Sequence, residues 1–301
     1  MLLCRSRVEN GAGIRSPGNG LNDVELRTLA QTILESDDLG VKLSCPDGEL
    51  TDHVPGPARV LLSPTRPRAL RIRSSTNVPP IEGMQDPAQR GRILHALANH
   101  EFQAVELFAW ALLAFPDTPT EFRRGLAAIL KDEQRHTRMY IARVEANGLK
   151  FGDAPVSGYF WNKIPNVHTP TQFVCTMSLT FENANLDHTI EYSRAAREIG
   201  DEATAKVIEQ VHEDEIEHVR FGWHWLQIFK DDNESTAEAY KRSIVWPLRL
   251  ARARGRTFHP CGRERAGIET DFIELLAKSS VDVEPQGPDR ATSGEEENNI
   301  P

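Results

Sequence analysis

Apolar residues recur at helical spacing along four long stretches in the middle of the chain, and polar residues occupy the remaining positions. Signals for helix starts precede these stretches. Asp86 stands before Pro87, and the sequences Thr118–Glu121 and Thr169–Gln172 each have the form of a capping box. The pattern therefore predicts four long helices, over residues 86–115, 118–148, 169–199 and 201–230.

The connections between the predicted helices are short, long and short. The long connection, residues 149–168, must return the chain along the bundle, and its aromatic segment Tyr159-Phe160-Trp161 is expected to pack on the helices. One long crossover of this kind is the connection of ferritin-like bundles, whereas simple up-and-down bundles have short loops. The predicted fold is therefore all-α, a ferritin-like four-helix bundle with one long crossover over residues 86–232.

Shorter elements flank the predicted bundle. Residues 1–20 are rich in Gly, Ser, Arg and Asn and are predicted to be disordered. Residues 21–85 are predicted to form a short helix at 22–36 and a proline-rich arm with β-like pieces at 58–62 and 69–72. Residues 233–278 are predicted to form one or two C-terminal helices, at 235–253 with a bend at Trp246-Pro247 and at 266–278. Residues 279–301 are predicted to be a disordered tail.

Two Glu-x-x-His sequences lie on the second and fourth predicted helices, Glu133 with His136 and Glu215 with His218. Residues three apart share one face of a helix, so each pair can offer a carboxylate and an imidazole to the same point. Both pairs fall inside apolar stripes, where ionisable groups are costly unless they are paired or coordinate a metal. The two sequences therefore predict a metal site inside the bundle.

Each Glu-x-x-His sequence is preceded by a glutamate that faces inward on the helix before it. Glu101 lies 32 residues before Glu133, and Glu182 lies 33 residues before Glu215. Measured by the helical rise, the height of Glu101 along the first helix matches that of the first Glu-x-x-His pair. The predicted metal ligands are thus Glu101, Glu133, His136, Glu182, Glu215 and His218.

Further residues are predicted to surround these ligands. Asp132 and Asp214 directly precede the glutamates of the two pairs, and each is expected to accept a hydrogen bond from a ligand histidine of the other half. Glu106 and Asp187 are rivals for the partner positions, and we expect them to lie beside the ligands or at the edge of the core. Tyr140 is expected either to line the cavity or to belong to the core.

The predicted ligands are four carboxylates and two imidazoles, an oxygen and nitrogen set that suits iron or manganese. Two cations, either two iron ions, two manganese ions or one of each, would neutralise four buried carboxylates that would otherwise repel one another. Arg135 or Arg220 could balance the charges of the two aspartates.

The composition excludes several classes of protein. A formal net charge of -9 and a pI near 5.6 argue against a protein that mainly binds nucleic acid. The run of arginines at 66, 68, 71 and 73 is more typical of a solvated or salt-bridged surface than of an RNA or phosphate site. No apolar run predicts a membrane span or a secretory signal. The four cysteines show no Cys-x-x-Cys spacing, so we expect neither disulfides nor a cysteine zinc site, and a cytoplasmic location.

Four segments carry a resemblance to a known family: Ile93–Glu106, D-E-Q-R-H at 132–136, L-T-F-E-N-A-N-L-D-H at 179–188 and D-E-I-E-H at 214–218. Over about residues 55–230 the chain resembles the bacterial family domain of unknown function 455, which belongs to the ferritin-like superfamily. The resemblance implies a diiron or related site that reacts with oxygen or peroxide, with the six predicted ligands at the superfamily positions. Members of that superfamily include ferritins, manganese catalases, ribonucleotide reductase small subunits, hydroxylases and a tRNA-modifying monooxygenase.

Three hypotheses of function follow. The first is an oxidoreductase, an oxidase or monooxygenase that uses oxygen or peroxide on a small organic substrate and takes electrons from a partner reductase or another donor. The second is a ferritin-type protein that oxidises and stores iron, and the third is a metal-free structural bundle. A nucleic-acid partner is not expected, although a modified RNA remains an open substrate, and a homodimer is an open alternative to a monomer.

Overall fold

The computed structural model of the protein describes residues 23–46, 48–74 and 76–279. The described residues are 66% helix and 3% strand, which confirms the all-α prediction. Both segments predicted to be disordered lie outside the described residues, apart from Ser279. Among the residues that are described, no helix combines the length and the apolar character needed to cross a membrane.

In chain order, the helices and strands are β1 (Val24–Glu25), α1 (Leu26–Glu35), α2 (Leu39–Leu43), β2 (Leu50–Thr51), β3 (Ile72–Arg73), α3 (Pro87–Ala114), α4 (Thr120–Ala146), β4 (Val156–Ser157), α5 (Pro170–Thr176), α6 (Asn183–Glu198), α7 (Glu202–Phe229), α8 (Thr236–Ser243), α9 (Pro260–Arg265) and α10 (Thr270–Lys278). A π-helical turn, Met177–Glu182, joins α5 to α6. Short 3-10 helices lie at Arg68–Leu70, Ile81–Gln85, Trp161–Asn166 and Leu250–Ala253.

Four long helical segments form the centre of the described structure. The helix α3 packs along α4, the continuous segment α5–α6 packs along α7, and α4 contacts α7 to join the two pairs. The connection between the two pairs is the long one, whereas the connections within each pair are short. The inward faces of these helices carry most of the buried apolar side chains, and the predicted ligands lie among them.

The starts of the helices show which capping predictions hold. Asp86 accepts a hydrogen bond from the backbone N–H of Gln89 at 2.8 Å, so it caps α3 as the sequence suggested. The capping box at Thr118 is wrong, because Pro119 is the cap residue of α4 and the Thr118 hydroxyl instead donates to the carbonyl of Phe115. The hydroxyl of Thr169 does accept a hydrogen bond at the start of α5.

The π-helical turn is the main departure from regular helix in the bundle. A π-helical turn widens the backbone locally, and such turns occur frequently at functional sites. Gly222 of α7 lies directly against this turn, since a Cβ at residue 222 would lie 2.4 Å from the Cβ of Ser178. The absence of a side chain at Gly222 thus allows α7 to approach the turn that ends at Glu182.

The N-terminal arm is attached to the bundle by a buried carboxylate. Glu106 accepts hydrogen bonds from Lys42 at 3.0 Å, from Arg66 at 2.6 Å and from the indole of Trp161 at 2.9 Å. Lys42, Arg66 and Glu106 are all buried. This corrects two expectations, because Arg66 belongs to a buried ion pair rather than to a solvated surface, and Glu106 anchors the arm.

The strands form two short parallel pairings, of β1 with β2 within the N-terminal part of the chain and of β3 with β4. The pairing of β3 with β4 joins the arm directly to the crossover segment Val156–Ser157. The strand expected at residues 58–62 is absent there, whereas the expected piece at 69–72 is a 3-10 helix followed by β3.

The C-terminal region differs from its prediction. The single helix expected at 235–253 is wrong, because α8 ends at Ser243 and Ile244 is extended. A residue before proline is disfavoured in the helical conformation and proline lacks an N–H, so Trp246-Pro247 separates the two parts rather than bending one helix. The last predicted helix, residues 266–278, is shorter, and its helical part is α10.

Candidate metal centre

Four helical segments place the six predicted ligands around one point. The helix α4 carries Glu133 and His136, α7 carries Glu215 and His218, α3 carries Glu101, and the π-helical turn ends at Glu182. All six residues are buried, and none exposes more than 5% of its surface. We call these six residues the ligand cluster.

The ligand cluster is short of hydrogen-bond partners. Among the buried atoms that make no hydrogen bond are both carboxylate oxygens of Glu133, both oxygens of Glu182, and the Nδ1 atoms of both histidines. These atoms nevertheless lie close together, since Nδ1 of His218 is 3.1 Å from Glu133 Oε1 and 3.5 Å from Glu215 Oε2. Buried polar groups without partners are costly, and a bound cation is the partner that so many converging lone pairs would share.

The cluster divides into two groups of four residues. One group is Glu101, Glu133, His136 and Glu215, and the other is Glu133, Glu182, Glu215 and His218; in each group the ligand atoms lie within 4.8 Å of one another. Glu133 and Glu215 belong to both groups. The buried carboxylates and imidazoles of these groups could therefore hold a metal ion.

The outer nitrogens of the two histidines are held by carboxylates from the opposite half of the bundle. Nε2 of His136 lies 3.0 Å from Asp214 Oδ2, and Nε2 of His218 lies 3.4 Å from Asp132 Oδ2. Because Nε2 faces an aspartate in each case, the neutral ring carries its proton on Nε2, and once the Nδ1 proton is displaced the Nδ1 lone pair points into the cluster.

Arg135 supports both aspartates at once. Its guanidinium lies 2.8 Å from Asp132 Oδ1 and 2.8 Å from Asp214 Oδ2. Arg220, the alternative expected from the sequence, instead pairs with Glu217 and donates to the carbonyl of Arg265. Arg135 is therefore the residue that balances the charge of the aspartates on the outer side of the histidines.

Burial and the neighbouring charges of the protein shift the pKa values of the residues in the ligand cluster. Burial, followed by the charge of Glu133, raises the pKa of Glu101 well above its usual range, and burial raises the pKa of Glu182 to about 8. Burial also acts on Glu133, but the two imidazoles beside it outweigh burial and lower its pKa. Burial would lower the pKa values of His136 and His218, yet the surrounding carboxylates raise both. A cation that binds here must displace protons.

A cavity of about 770 Å³ opens onto the ligand cluster. The four glutamates of the cluster line its inner end, and Tyr159, Phe160 and Phe181 form much of its wall. The rings of Phe160 and Phe181 are stacked with their centroids 4.4 Å apart. His100 and His188 also line the cavity. This volume is in the range of small-molecule sites.

A family model described as a protein of unknown function, DUF455, matches residues 28–274. The chain belongs to this family. The match extends beyond the segment of about residues 55–230 that carried the resemblance, so it also includes most of α1 and of the C-terminal helices. A comparison with curated proteins gives no match, and a comparison with solved structures gives none either.

In this DUF455 protein two of the expected neighbours of the ligands have other roles. Glu106 is occupied by Lys42 and Arg66, and both oxygens of Asp187 are bound by Arg263 at 2.8 and 2.9 Å. Each of these acids lies five residues after a cluster glutamate, and five residues turn a helical side chain by about 140° away from it. The expectation that Glu106 and Asp187 lie beside the ligands is therefore wrong.

The remaining expected neighbour and one unexpected residue do lie near the cluster. Tyr140 is fully buried, and its pKa is raised by burial and then by the charge of Glu101. Asn185, which the sequence pattern did not single out, donates from Nδ2 to Glu215 Oε1 at 2.8 Å. Its position three residues after Glu182, on the same helical face, was the signal that could have identified it.

Proposed function

We propose that this protein is a dinuclear metal oxidoreductase of the ferritin-like type, in which two iron or manganese ions activate oxygen or peroxide to oxidise a small organic substrate. The observation that supports it is the convergence of buried ligand atoms without hydrogen bonds at the inner end of a cavity. Placement in the ferritin-like superfamily is part of this proposal.

The two groups of four ligands support a site for two cations rather than one. Glu133 and Glu215, which both groups contain, would help to hold the cations, and Glu101 and Glu182 would each complete one group. His136 and His218 would each complete one group through Nδ1, with the Asp214 and Asp132 carboxylates fixing the orientation of their rings. Two divalent cations would carry as much positive charge as four carboxylates carry negative charge.

The ligand types favour iron or manganese. Carboxylates and imidazoles suit these metals, and the cluster contains no thiolate that would favour a zinc or iron–sulfur site. Bound there, such ions would supply the redox chemistry, and the protein would supply the geometry and the dry surroundings. Electrons would come from a partner reductase or a chemical donor.

The cavity favours an enzyme over an iron-storage protein. A site that only oxidises iron needs a path for ions, whereas this cavity is large and has three aromatic side chains in its wall. The segment after α8, which is not part of the four-helix unit, also contributes to the lining. Phe160, Phe181 and Tyr159 would bind an organic substrate next to the ligand cluster and exclude water from it.

Anaerobic metal loading followed by exposure to oxygen tests this function. Purified protein is loaded with iron(II) or manganese(II), its metal content is measured by mass spectrometry, and oxygen or peroxide is then mixed in while absorption and paramagnetic resonance are recorded. We expect about two metal ions per chain, from the two ligand groups, and a spectral change that depends on the oxidant.

Two variants make the test specific. Glu133→Ala removes a ligand shared by both groups and should reduce the metal content and abolish the reaction with oxygen. Glu145→Ala, which changes an exposed glutamate of the same helix, should behave like the unaltered protein. Metal uptake that is the same in both variants would contradict the metal site, and a loaded site inert to oxygen and peroxide would contradict the oxidoreductase.

A further inference from the structure

Three arginines lie at the outer part of the cavity, one in the 3-10 helix Leu250–Ala253 and two between that helix and α9. Arg252, Arg254 and Arg256 all belong to the cavity lining. Arg256 is exposed, whereas the glutamates at the other end of the cavity are buried. The cavity therefore leads from the arginines at the surface to the ligand cluster in the interior.

The three arginines differ in how their donors are used. Arg252 donates to the hydroxyl of Tyr159 at 2.6 Å and so holds one side chain of the aromatic wall. Arg254 donates to the carbonyls of Ala277 at 2.6 Å and of Arg256 at 3.2 Å. In the part of the chain that the structure describes, the guanidinium of Arg256 makes no hydrogen bond or ion pair, so its donors remain available to a ligand.

The segment that carries the arginines is fixed to the bundle. Asp187 of α6 accepts a hydrogen bond from the backbone N–H of Gly255 at 2.8 Å, and it also binds Arg263. The fit is tight, since a Cβ at residue 255 would lie 2.7 Å from the Cβ of Asp187. Arg256 is therefore attached to a backbone whose position is set in advance, which lowers the entropic cost of binding a ligand.

The charges along the cavity favour an anion. The acids in its lining are the four glutamates of the ligand cluster, whose charges the two cations of the proposed function would neutralise. The arginines are then the remaining charges of the lining, in a protein whose formal net charge is -9. Between the arginines and the cluster the wall is aromatic, which suits the apolar part of a substrate.

We infer that the substrate is a small organic anion, a carboxylate or phosphate monoester with an apolar or aromatic body, whose acid group binds Arg256. Its body would pack on Phe160 and Phe181 and extend to the ligand cluster. Guanidinium groups bind carboxylates and phosphates through paired hydrogen bonds, so arginine suits either acid group. This inference rests on the proposed function and specifies its substrate class.

A matched set of ligands tests the inference by calorimetry. The manganese-loaded protein is titrated with phenylbutanoate, with phenylpropyl phosphate, and with the neutral phenylbutanamide. We expect at least one acid to bind about tenfold more tightly than the amide, which corresponds to about 1.4 kcal/mol. The relative affinities of the two acids show which acid group the site prefers.

Variants show whether Arg256 causes the preference for acids. Arg256→Gln should remove most of the difference between acid and amide without weakening the amide, and Arg256→Lys should retain part of it. Arg124→Gln, which alters an exposed arginine of α4 away from the cavity, should leave all affinities unchanged. The expected pattern would support the inference.

Three results would overturn it. The first is equal binding of acid and amide, and the second is no binding of either acid at millimolar concentration. The third is a preference for acids that remains in Arg256→Gln, which would mean that the metal ions bind the acid. Metal content and the reaction with oxygen are measured on the same preparations. If the protein binds metal and reacts with oxygen but shows one of these results, the substrate class is refuted and the proposed function is not. If metal fails to bind, the same titrations on the metal-free protein test the role of Arg256.

Discussion

Substitution of Glu106 tests whether this residue anchors the N-terminal arm or acts as a metal ligand. The carboxylate accepts hydrogen bonds of 3.0 Å or less from four donor atoms, which are Nζ of Lys42, Nε and Nη2 of Arg66, and Nε1 of Trp161. The variant Glu106→Gln keeps the shape of the side chain but has one oxygen and an amide that donates, so at least one buried cation loses its partner. Both cations are fully or almost fully buried, and water cannot replace the lost interaction.

The expected magnitude follows from that burial. Removal of one partner from a buried ion pair costs about 3 to 5 kcal/mol, because the remaining charge stays buried without compensation. The free energy of unfolding of a whole protein is only about 5 to 15 kcal/mol, so we expect a large fall in the urea midpoint of Glu106→Gln. Urea unfolding is measured by circular dichroism at neutral pH. Metal content of the folded variant should be unchanged, because the ligand cluster keeps all six residues.

Glu145→Gln is the control, since it makes the same chemical change on an exposed part of α4. It should change the free energy of unfolding by less than about 0.5 kcal/mol. Two results would refute the reasoning. One is a Glu106→Gln protein as stable as the control. The other is a variant of normal stability that has lost about half of its metal, which would make Glu106 a ligand after all.

Three further predictions concern the cluster itself. Asp214→Asn removes the carboxylate that holds Nε2 of His136, so metal affinity measured by chelator competition should fall about tenfold to a hundredfold. Gly222→Ala would force its Cβ against Ser178, so it should destabilise the protein by about 1 to 3 kcal/mol in urea and reduce metal content by displacing Glu182. In the metal-free protein, groups with raised pKa values hold protons more tightly when folded than when unfolded, as Glu182 does with a pKa of about 8. For Glu182 that contribution is lost between its usual pKa of 4.5 and its folded pKa of about 8, so the stability of the metal-free protein, followed by thermal unfolding, should fall as the pH rises from about 5 to 8.

Each of these predictions has its own control. Asp153→Asn, on the crossover, should leave metal affinity unchanged, and equal loss in both variants would contradict the role of Asp214. Ser178→Gly should restore metal binding to Gly222→Ala because it removes the opposing Cβ, and failure to do so would mean that the contact is not the cause. The Glu182→Gln protein should lose part of its pH dependence, and an identical slope would contradict the assignment.

The direction in which the stability of the metal-free protein changes with pH depends on which groups titrate in the pH range studied. Glu101, Glu182 and the two cluster histidines have raised pKa values, so their stabilising contribution is complete at low pH and is lost as the pH rises through the folded-state values. The pKa values of four other histidines are lowered, chiefly by burial, but these are already neutral in both states above about pH 7. Bound cations should remove the fall, because metal binding strengthens as ligand protons leave.

The helices and the ligand cluster could be predicted because their signals are local. Apolar spacing sets which face of a helix is buried, and the three-residue spacing of Glu133 and His136 places both on that face. Duplication of this pattern in α7 indicated a second half, and the similar distances to Glu101 and Glu182 indicated which acids complete it. None of these sequence features depends on which distant segments of the chain contact one another.

The roles of the other buried acids depended on distant segments. Lys42 and Arg66 reach Glu106 from the arm, and Arg263 reaches Asp187 from a helix 76 residues later. Helical spacing shows that such an acid is buried but not which cation pairs with it, because pairing depends on the path of the connecting chain. The sequence did contain a partial signal, since an acid five residues after a ligand lies on a different face.

The sequence by itself determined the six residues of the ligand cluster, whereas only the tertiary structure decided what surrounds them. The π-helical turn before Glu182 depends on close contact with Gly222, and the position of Arg256 over the cavity depends on the contact of Gly255 with Asp187. Both are contacts between segments far apart in the chain, which no local periodicity encodes. The ligand cluster therefore follows from short repeats in the sequence, whereas the lining of the cavity beside it depends on how the C-terminal segment packs against the bundle.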